Sequence, residues 1–293
     1  MHILVTGACG QLGNEMQLQA QQRPEHQWFF TDVVGADSCS AAVTSLDITD
    51  REAVESFVTD NAIDIIVNCA AFTAVDRAES EAERALLLNA TAPGYLAAAI
   101  EQRGGQLIQI STDYVFDGTA HTPYTEELPT CPASVYGRTK LAGEEAVMSA
   151  NPTAMIIRTA WLYSRFGNNF VKTMLRLGRE KSELGVIFDQ IGTPTYARDL
   201  AATIMKAIDS GIIPGIYHFS NEGVTSWYDF TKAIHHLAGI TTCKVRPLHT
   251  AEYPTPAARP HYSVLDKTKI KQTYNIEVPY WLDSLTECLK ELI

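Results

Sequence analysis

The sequence lacks long apolar runs, clusters of basic residues and paired cysteines. No stretch reaches the roughly 18 apolar residues that a spanning helix needs, so we expect no membrane partner. The net charge is −11, from 23 Lys and Arg against 34 Asp and Glu, which argues against nucleic acid as a partner. The six cysteines are scattered without a C-x-x-C pair, which favours free thiols over disulfides or zinc.

The first residues, MHILVTG, form a strand-like run in place of the charged and apolar regions of a signal peptide. We therefore expect a soluble, cytoplasmic protein. Its 293 residues, 46% of them hydrophobic, are enough for a substantial core.

The first half of the chain alternates Val/Ile/Leu-rich runs with helical patterns. The strand-like runs include HILVTG, WFFTD, IDIIVNCAA, QLIQIST and AMIIRTAWLY, and a long Ala- and Glu-rich helical stretch covers residues 76–103. This alternation predicts an α/β fold with a doubly wound parallel (Rossmann) sheet. We place the dinucleotide-binding domain at 1–163, its sheet completed by parts of 186–217, and a smaller C-terminal substrate lobe at 164–293.

Three glycines, Gly7, Gly10 and Gly13, lie between the first strand and its helix in TGACGQLG. Glycine allows a tight turn and a close approach to a pyrophosphate, whose charge then lies at the helix N-terminus. Because the loop follows a strand and opens a helix, the pattern predicts a dinucleotide site.

Acidic and small residues follow the next strands. Asp32 ends the second strand, where a carboxylate accepts hydrogen bonds from the adenosine ribose and repels a 2′-phosphate, which favours NADH over NADPH. Asp47 and Ile48, at the following strand end, are placed to contact the adenine. The small residues of 68–73 would let a cofactor cross the sheet edge, although structural packing explains them equally well.

The fifth strand ends with Thr112 and Asp113, and Tyr136 and Lys140 follow at helical i, i+4 spacing. A free tyrosine has a pKa of about 10, and a nearby ammonium together with a positive nicotinamide ring would lower it. The Thr112 hydroxyl could hold a carbonyl oxygen beside the phenol. This combination predicts hydride transfer with Tyr136 as the acid and Thr112 and Lys140 as its catalytic partners.

The chain resembles the extended short-chain dehydrogenase/reductases, and within them the branch that reduces dTDP-4-dehydrorhamnose. The resemblance covers nearly the whole chain. It is carried by GACGQLGNE, NCAAFTAVDRAE, LNA, STDYVFDG, VYGRTKLAGE, RTAWLY, DQIGTPTYARDLA and RPHYSVLD.

The resemblance implies reduction of the 4-keto group of dTDP-4-dehydro-L-rhamnose by NADH or NADPH. Tyr136 would donate the proton, Lys140 would hold the nicotinamide ribose, and Thr112 would orient the sugar carbonyl. Asp113 and Trp161 match sugar-contacting positions, although Trp161 could also be plain core. The matching cofactor contacts are Gly10, Gln11, Leu12, Asp32, Asp47, Ile48, Ala71, Phe72 and Thr73, with Phe72 in place of the more usual Tyr or His.

Charged residues complete the expected site. The pyrophosphate of a dTDP-sugar needs a cation, and Arg259 is the first candidate, with Lys172 and Arg165 next; each could instead be a solvated surface charge. Glu15 matches a position that in some relatives helps to bind magnesium between subunits, and a surface glutamate is the alternative. The resemblance thus allows a magnesium site and a homodimer.

Two other functions remain compatible with these residues. One is another nucleotide-sugar reaction of the same superfamily, such as an epimerase, which would retain its NAD. The other is a non-catalytic regulatory subunit similar to the beta subunit of methionine adenosyltransferase.

Overall fold

The computed structural model describes residues 1–33 and 43–293. The strands are β1 (His2–Thr6), β2 (Gln27–Asp32), β3 (Thr44–Ser45), β4 (Ile65–Asn68), β5 (Gln106–Thr112), β6 (Met155–Thr159), β7 (Leu162–Tyr163), β8 (Glu183–Ile187), β9 (Ile191–Gly192), β10 (Thr195–Tyr196), β11 (Gly215–His218), β12 (Thr225–Ser226) and β13 (Lys244–Leu248). The helices are α1 (Gln11–Ala20), α2 (Arg51–Asp60), α3 (Val75–Ala78), α4 (Ala82–Leu86), α5 (Ala92–Glu101), α6 (Val135–Ala150), α7 (Phe170–Glu180), α8 (Ala197–Ser210), α9 (Trp227–Leu237), α10 (Thr268–Tyr274) and α11 (Trp281–Lys290).

The central sheet is parallel, in the order β3-β2-β1-β4-β5-β6-β11 within the described residues. The strand order reverses between β1 and β4, as in a doubly wound fold, so the predicted fold class is confirmed. Of the range 186–217, β11 joins this sheet, where it pairs with β6. Strand β8 pairs instead with β13, in a separate two-stranded sheet.

Apolar side chains cover both faces of the central sheet, because each parallel strand is buried between two helical layers. Helices α1, α8 and α10 pack on one face and α2, α5 and α6 on the other. A third apolar cluster joins α7, α9 and α11 and contains Phe230, Ile234 and Leu285. This cluster carries the C-terminal elements that stand beside the carboxyl edge of the sheet.

Two elements differ from their sequence-based predictions. The helical stretch 76–103 is divided into α3, α4, a π-helical turn (Leu87–Thr91) and α5. The run AMIIRTAWLY is divided into β6 and β7, because Trp161 takes the left-handed backbone conformation with φ of 48° and turns the chain into a second sheet. Both interruptions occur beside the carboxyl edge of the central sheet.

The cysteines are not all free thiols, so that expectation is wrong. Cys69, Cys131, Cys243 and Cys288 are free, and Cys131 is exposed. Cys9 is disulfide-bonded, and Cys39 lies outside the described residues. Across residues 1–33 and 43–293, no helix has both the length and the apolar character that a bilayer crossing requires.

We predict that Gly13→Ala destabilises the protein by about 1–3 kcal/mol. A Cβ on Gly13 would lie 2.3 Å from the Gly7 carbonyl oxygen and 2.6 Å from Ala8 Cα, and neither backbone atom can move cheaply. Urea unfolding measures the change.

Gly94→Ala is the matched control for this substitution. Its Cβ would meet Ala146 Cβ at an ordinary 3.5 Å inside α5. The control should stabilise the protein by up to about 1 kcal/mol, because alanine lowers the entropy of the unfolded chain. Equal unfolding midpoints for the two variants would contradict the close packing inferred for the loop.

Candidate active site

The glycine loop forms the first wall of the site, where β1 ends. Gly7 has a φ of 64°, and the backbone N–H of Gly10 donates to the Gly7 carbonyl at 3.0 Å. Among the described residues no side chain caps the N-terminus of α1, so the first N–H groups of this helix point out of the loop. Such a helix end suits a pyrophosphate.

The side chains of Gln11 and Leu12 point away from the loop opening. The Gln11 carboxamide oxygen accepts a hydrogen bond from Asn169 Nδ2 at 2.9 Å, and Leu12 is buried in the core beneath α1. Any contact of these two residues with a cofactor would therefore use their backbone N–H groups. Gln11 also links α1 to the segment that precedes α7, which sequence reasoning did not predict.

Asp32 is half-buried at the end of β2, beside the glycine loop. Its carboxylate accepts hydrogen bonds from the backbone N–H of Cys9 at 3.0 Å and of Val33 at 2.8 Å. These bonds hold the acid at the carboxyl edge, where a ribose hydroxyl would lie in a doubly wound fold.

The two predicted adenine contacts have different surroundings. Asp47 is exposed and accepts hydrogen bonds from the Thr49 N–H at 2.9 Å and the Thr49 hydroxyl at 2.7 Å. Ile48 is buried in the core between the sheet and α2. Their contact with an adenine stays a prediction.

The segment after β4 is held by a buried asparagine. Asn89, in the π-helical turn, accepts from the Phe72 N–H at 2.8 Å and donates to the Phe72 carbonyl at 3.1 Å and to the Thr139 hydroxyl at 3.1 Å. It thus fastens the segment containing Ala71, Phe72 and Thr73 to α6. The polar residue within the apolar run LLLNA was the signal that could have indicated this role.

Thr112, Asp113 and Tyr136 come together where β5 ends. The Thr112 hydroxyl donates to Asp113 Oδ1 at 3.0 Å and lies close enough to the Tyr136 hydroxyl to lower the pKa of that phenol. A Cβ on Gly137 would lie 2.2 Å from the Tyr114 carbonyl oxygen, so only glycine lets α6 approach this turn. The packing of α6 thereby brings the phenol to Thr112.

The ionisation of Tyr136 differs from the sequence-based expectation. Burial raises its pKa to about 12, the Thr112 hydrogen bond lowers it, and the Asp113 charge raises it. The expected lowering by Lys140 is not found in this structure. A phenol with this pKa is protonated at neutral pH, which is the form that a proton donor requires.

Lys140 lies one helical turn beyond Tyr136 and is buried. Its ammonium donates to the Ile110 carbonyl at 2.6 Å, on the same strand as Thr112. Burial lowers its pKa to about 8, and the charge of Glu144 acts in the opposite direction. The ammonium is therefore held at the sheet edge beside the phenol.

Trp161 and Ser263 lie side by side against Gly192 of β9. The Trp161 ring stacks on Trp227 with 3.4 Å between ring centroids. Burial raises the pKa of Asp113 to about 6, and the neighbouring Ser263 and Thr112 hydroxyls act in the opposite direction. Sequence reasoning missed Ser263, although it lies within the quoted stretch RPHYSVLD.

Arg259 reaches the carboxyl edge from the C-terminal elements. Its Nη2 donates to Asp76 Oδ2 at 2.9 Å, while its Nη1 is buried without a hydrogen-bond partner in the described chain. Burial raises the pKa of Tyr114 and the Arg259 charge opposes that shift; the Tyr114 ring packs edge-on against Tyr136. Arg259 therefore lies close to the tyrosine.

The other two candidate cations, Lys172 and Arg165, bind to groups away from the tyrosine. Lys172 Nζ donates to the carbonyls of Arg165 at 3.2 Å and Gly167 at 2.8 Å. The Arg165 guanidinium pairs with Glu291 at 3.2 Å. Of the candidate cations for a pyrophosphate, Arg259 is the one that the fold brings to the tyrosine.

Glu15 is fully buried, so the surface alternative is wrong. Its carboxylate lies 3.6 Å from Arg198 Nε; burial raises its pKa, and the charges of Arg198 and Arg165 act in the opposite direction. A divalent cation prefers several oxygen ligands, whereas this carboxylate faces guanidinium groups. No cluster of three acidic, His or Cys side chains suited to a metal occurs within the described residues. The surroundings of Glu15 in one chain do not fit the magnesium site that the resemblance allows.

Comparison with known proteins shows which family the whole chain belongs to. The model of the RmlD substrate binding domain family matches residues 1–293. The dTDP-4-dehydrorhamnose reductase of Sinorhizobium fredii is 42% identical, with 97% of this chain and 95% of the relative covered. The chain belongs to the dTDP-4-dehydrorhamnose reductase family.

Two solved structures of this family superimpose closely on the chain. One is a dTDP-4-dehydrorhamnose reductase from Clostridium acetobutylicum, with 45% identity, a TM-score of 0.92 and coverage of 100% and 99% of the two chains. The other, from Bacillus anthracis, is described in complex with NADP, with 37% identity, a TM-score of 0.88 and coverage of 99% of each chain. The carboxyl-edge site thus lies in a fold shared with reductases that use a nicotinamide cofactor.

We predict that Asp76→Ala loosens the segment containing Arg259. Asp76 accepts from the Ala257 N–H at 3.2 Å as well as from Arg259, so its loss removes both contacts. The Ala257 amide should exchange with deuterium about threefold to tenfold faster, since each lost hydrogen bond is worth roughly 1 kcal/mol.

Asp60→Ala is the control, because this exposed aspartate ends α2. It should leave exchange at Ala257 unchanged. Unaltered exchange in Asp76→Ala would show that other contacts hold the segment.

Proposed function

We propose that the chain reduces the 4-keto group of dTDP-4-dehydro-L-rhamnose, with Tyr136 as the proton donor. The observation that carries this proposal is the cluster of Thr112, Tyr136 and Lys140 at the carboxyl end of β5, on the same sheet edge as the glycine loop after β1. Membership of the reductase family supports the same reaction. The reduced nicotinamide supplies the hydride when it is bound.

Side chains of the protein donate the proton and stabilise the charges that form during the reduction. Tyr136 is protonated at neutral pH because burial raises its pKa to about 12, so it can give its proton to the oxygen of the ketone as negative charge develops there. The Thr112 hydroxyl orients that oxygen. The ammonium of Lys140, held by the Ile110 carbonyl, is placed to donate to ribose hydroxyls and to stabilise the phenolate that remains.

Substrate recognition is assigned to the wall formed by the C-terminal elements. Asp113 would accept a hydrogen bond from a sugar hydroxyl, and the half-buried Trp161 ring would pack on the sugar face. Arg259 carries a buried Nη1 donor that a pyrophosphate oxygen could satisfy. A homodimer and a cytoplasmic location stay predictions.

We predict that Tyr136→Phe lowers turnover about 10²- to 10⁴-fold, because the variant lacks the positioned acid. The assay follows NADH and NADPH oxidation with dTDP-4-dehydro-L-rhamnose. Tyr95→Phe, on α5, is the control and should retain wild-type turnover.

Near-normal turnover of Tyr136→Phe would rule out its role as proton donor. Stoichiometric NAD in the purified protein, visible in an absorbance scan, would favour an epimerase. Absence of oxidation with any dTDP-ketosugar, together with a stable protein partner, would favour a regulatory subunit.

We expect NADH to be used better than NADPH, because the Asp32 carboxylate would face a 2′-phosphate. Asp32→Asn removes this charge and retains an oxygen that can accept from the loop N–H groups. The ratio of kcat/KM for NADPH to that for NADH should rise about tenfold or more, since like charges in contact repel by more than 1 kcal/mol.

Asp60→Asn is the control and should leave the ratio unchanged. An unchanged ratio in Asp32→Asn would mean that this carboxylate does not select the cofactor.

A further inference from the structure

Three residues of α6 contact three consecutive residues of β5. Tyr136, Lys140 and Glu144 follow one another at intervals of four, so they lie on one face of the helix. Tyr136 lies beside the Thr112 hydroxyl, Lys140 donates to the Ile110 carbonyl at 2.6 Å, and Glu144 accepts from the Ser111 hydroxyl at 2.5 Å. The first two are assigned to the reaction, whereas nothing above assigns a role to Glu144.

Glu144 belongs to a buried ion pair with Arg158 on β6. Arg158 Nε donates to Oε1 at 2.9 Å and Nη2 donates to Oε2 at 2.6 Å, and the two side chains are 3% and 4% exposed. Arg158 stands directly opposite Ser111 in the strand register and also lies over the Phe116 ring. Such a pair is costly to desolvate and contributes little to stability compared with apolar packing.

The position of this pair indicates a role for it. Glu144 presents its negative charge one helical turn from the ammonium of Lys140, which is 4% exposed. Burial lowers the pKa of Lys140 and the Glu144 charge opposes that effect, which together give a pKa of about 8. The other ionisable groups near Lys140 are Tyr136 on its own helix, Asp113 at the end of β5, and Arg158 beyond Glu144.

We propose that Glu144, held by Ser111 and Arg158, is a positioning residue that keeps the neighbouring Lys140 protonated, and so sets the upper pH limit for cofactor binding and reduction. The role of Lys140 toward the cofactor rests on the proposed function. Removing the negative charge makes the ammonium lose its proton at a lower pH. The upper pH limit for cofactor binding and reduction should therefore lie at a lower pH when Glu144 is neutralised.

Glu144→Gln tests this inference, because glutamine retains an oxygen for Ser111 and removes the charge. The dissociation constant of NADH is measured by fluorescence from pH 6 to 9.5. NADH binding should weaken as the pH rises, and the midpoint of this loss should lie about one pH unit lower than in the wild type. The alkaline midpoint of kcat/KM should shift in the same direction. Glu145→Gln makes the same change at the next, exposed residue and should leave both midpoints in place.

The single variant leaves the Arg158 charge unpaired and could unfold, so Glu144→Gln/Arg158→Gln is measured as well. Neutralising both partners should recover stability while the midpoints stay shifted. If the double variant has wild-type midpoints, the pair is only structural and the inference is overturned. An unshifted midpoint in a folded Glu144→Gln also overturns it. The NADH binding curve needs no sugar, so it decides this question even if the proposed substrate is wrong.

Discussion

Helix α6 packs against the end of β5 through three polar contacts, and the geometry of the site depends on this packing. The close approach is open only to glycine at position 137, whose Cβ would otherwise lie 2.2 Å from the Tyr114 carbonyl oxygen. With the helix this close to the strand, the Tyr136 phenol lies beside the Thr112 hydroxyl, and the Lys140 ammonium donates to the Ile110 carbonyl. The helix and the strand thereby hold the acid and the cation without help from a flexible loop.

The same packing buries several ionisable groups, and their pKa values move in opposite directions. Burial raises that of Tyr136 to about 12 and that of Asp113 to about 6, and lowers that of Lys140 to about 8. Each shift favours the neutral form, as expected when charged groups leave water. A concentration of shifted groups at one sheet edge is typical of a catalytic site and costly anywhere else.

Contacts between distant parts of the chain close the site on its other side. Asp76, after β4, holds Arg259 and the Ala257 N–H, so the C-terminal segment is fastened to the first half of the chain. Gln11 accepts from Asn169 and links the start of α1 to the segment before α7. The bonds to Asp76 keep Arg259, the candidate ligand for the substrate pyrophosphate, near Tyr114 and Tyr136.

The sequence by itself determined the parallel sheet, the glycine turn and the spacing of Tyr136 and Lys140. These features follow from local periodicity and from backbone conformations that depend on few neighbours. Only the tertiary structure decided that Glu15 faces Arg198 and that Glu144 pairs with Arg158. Charge and burial at such positions depend on residues far away in the chain or on other elements, and no local pattern records which of them will meet.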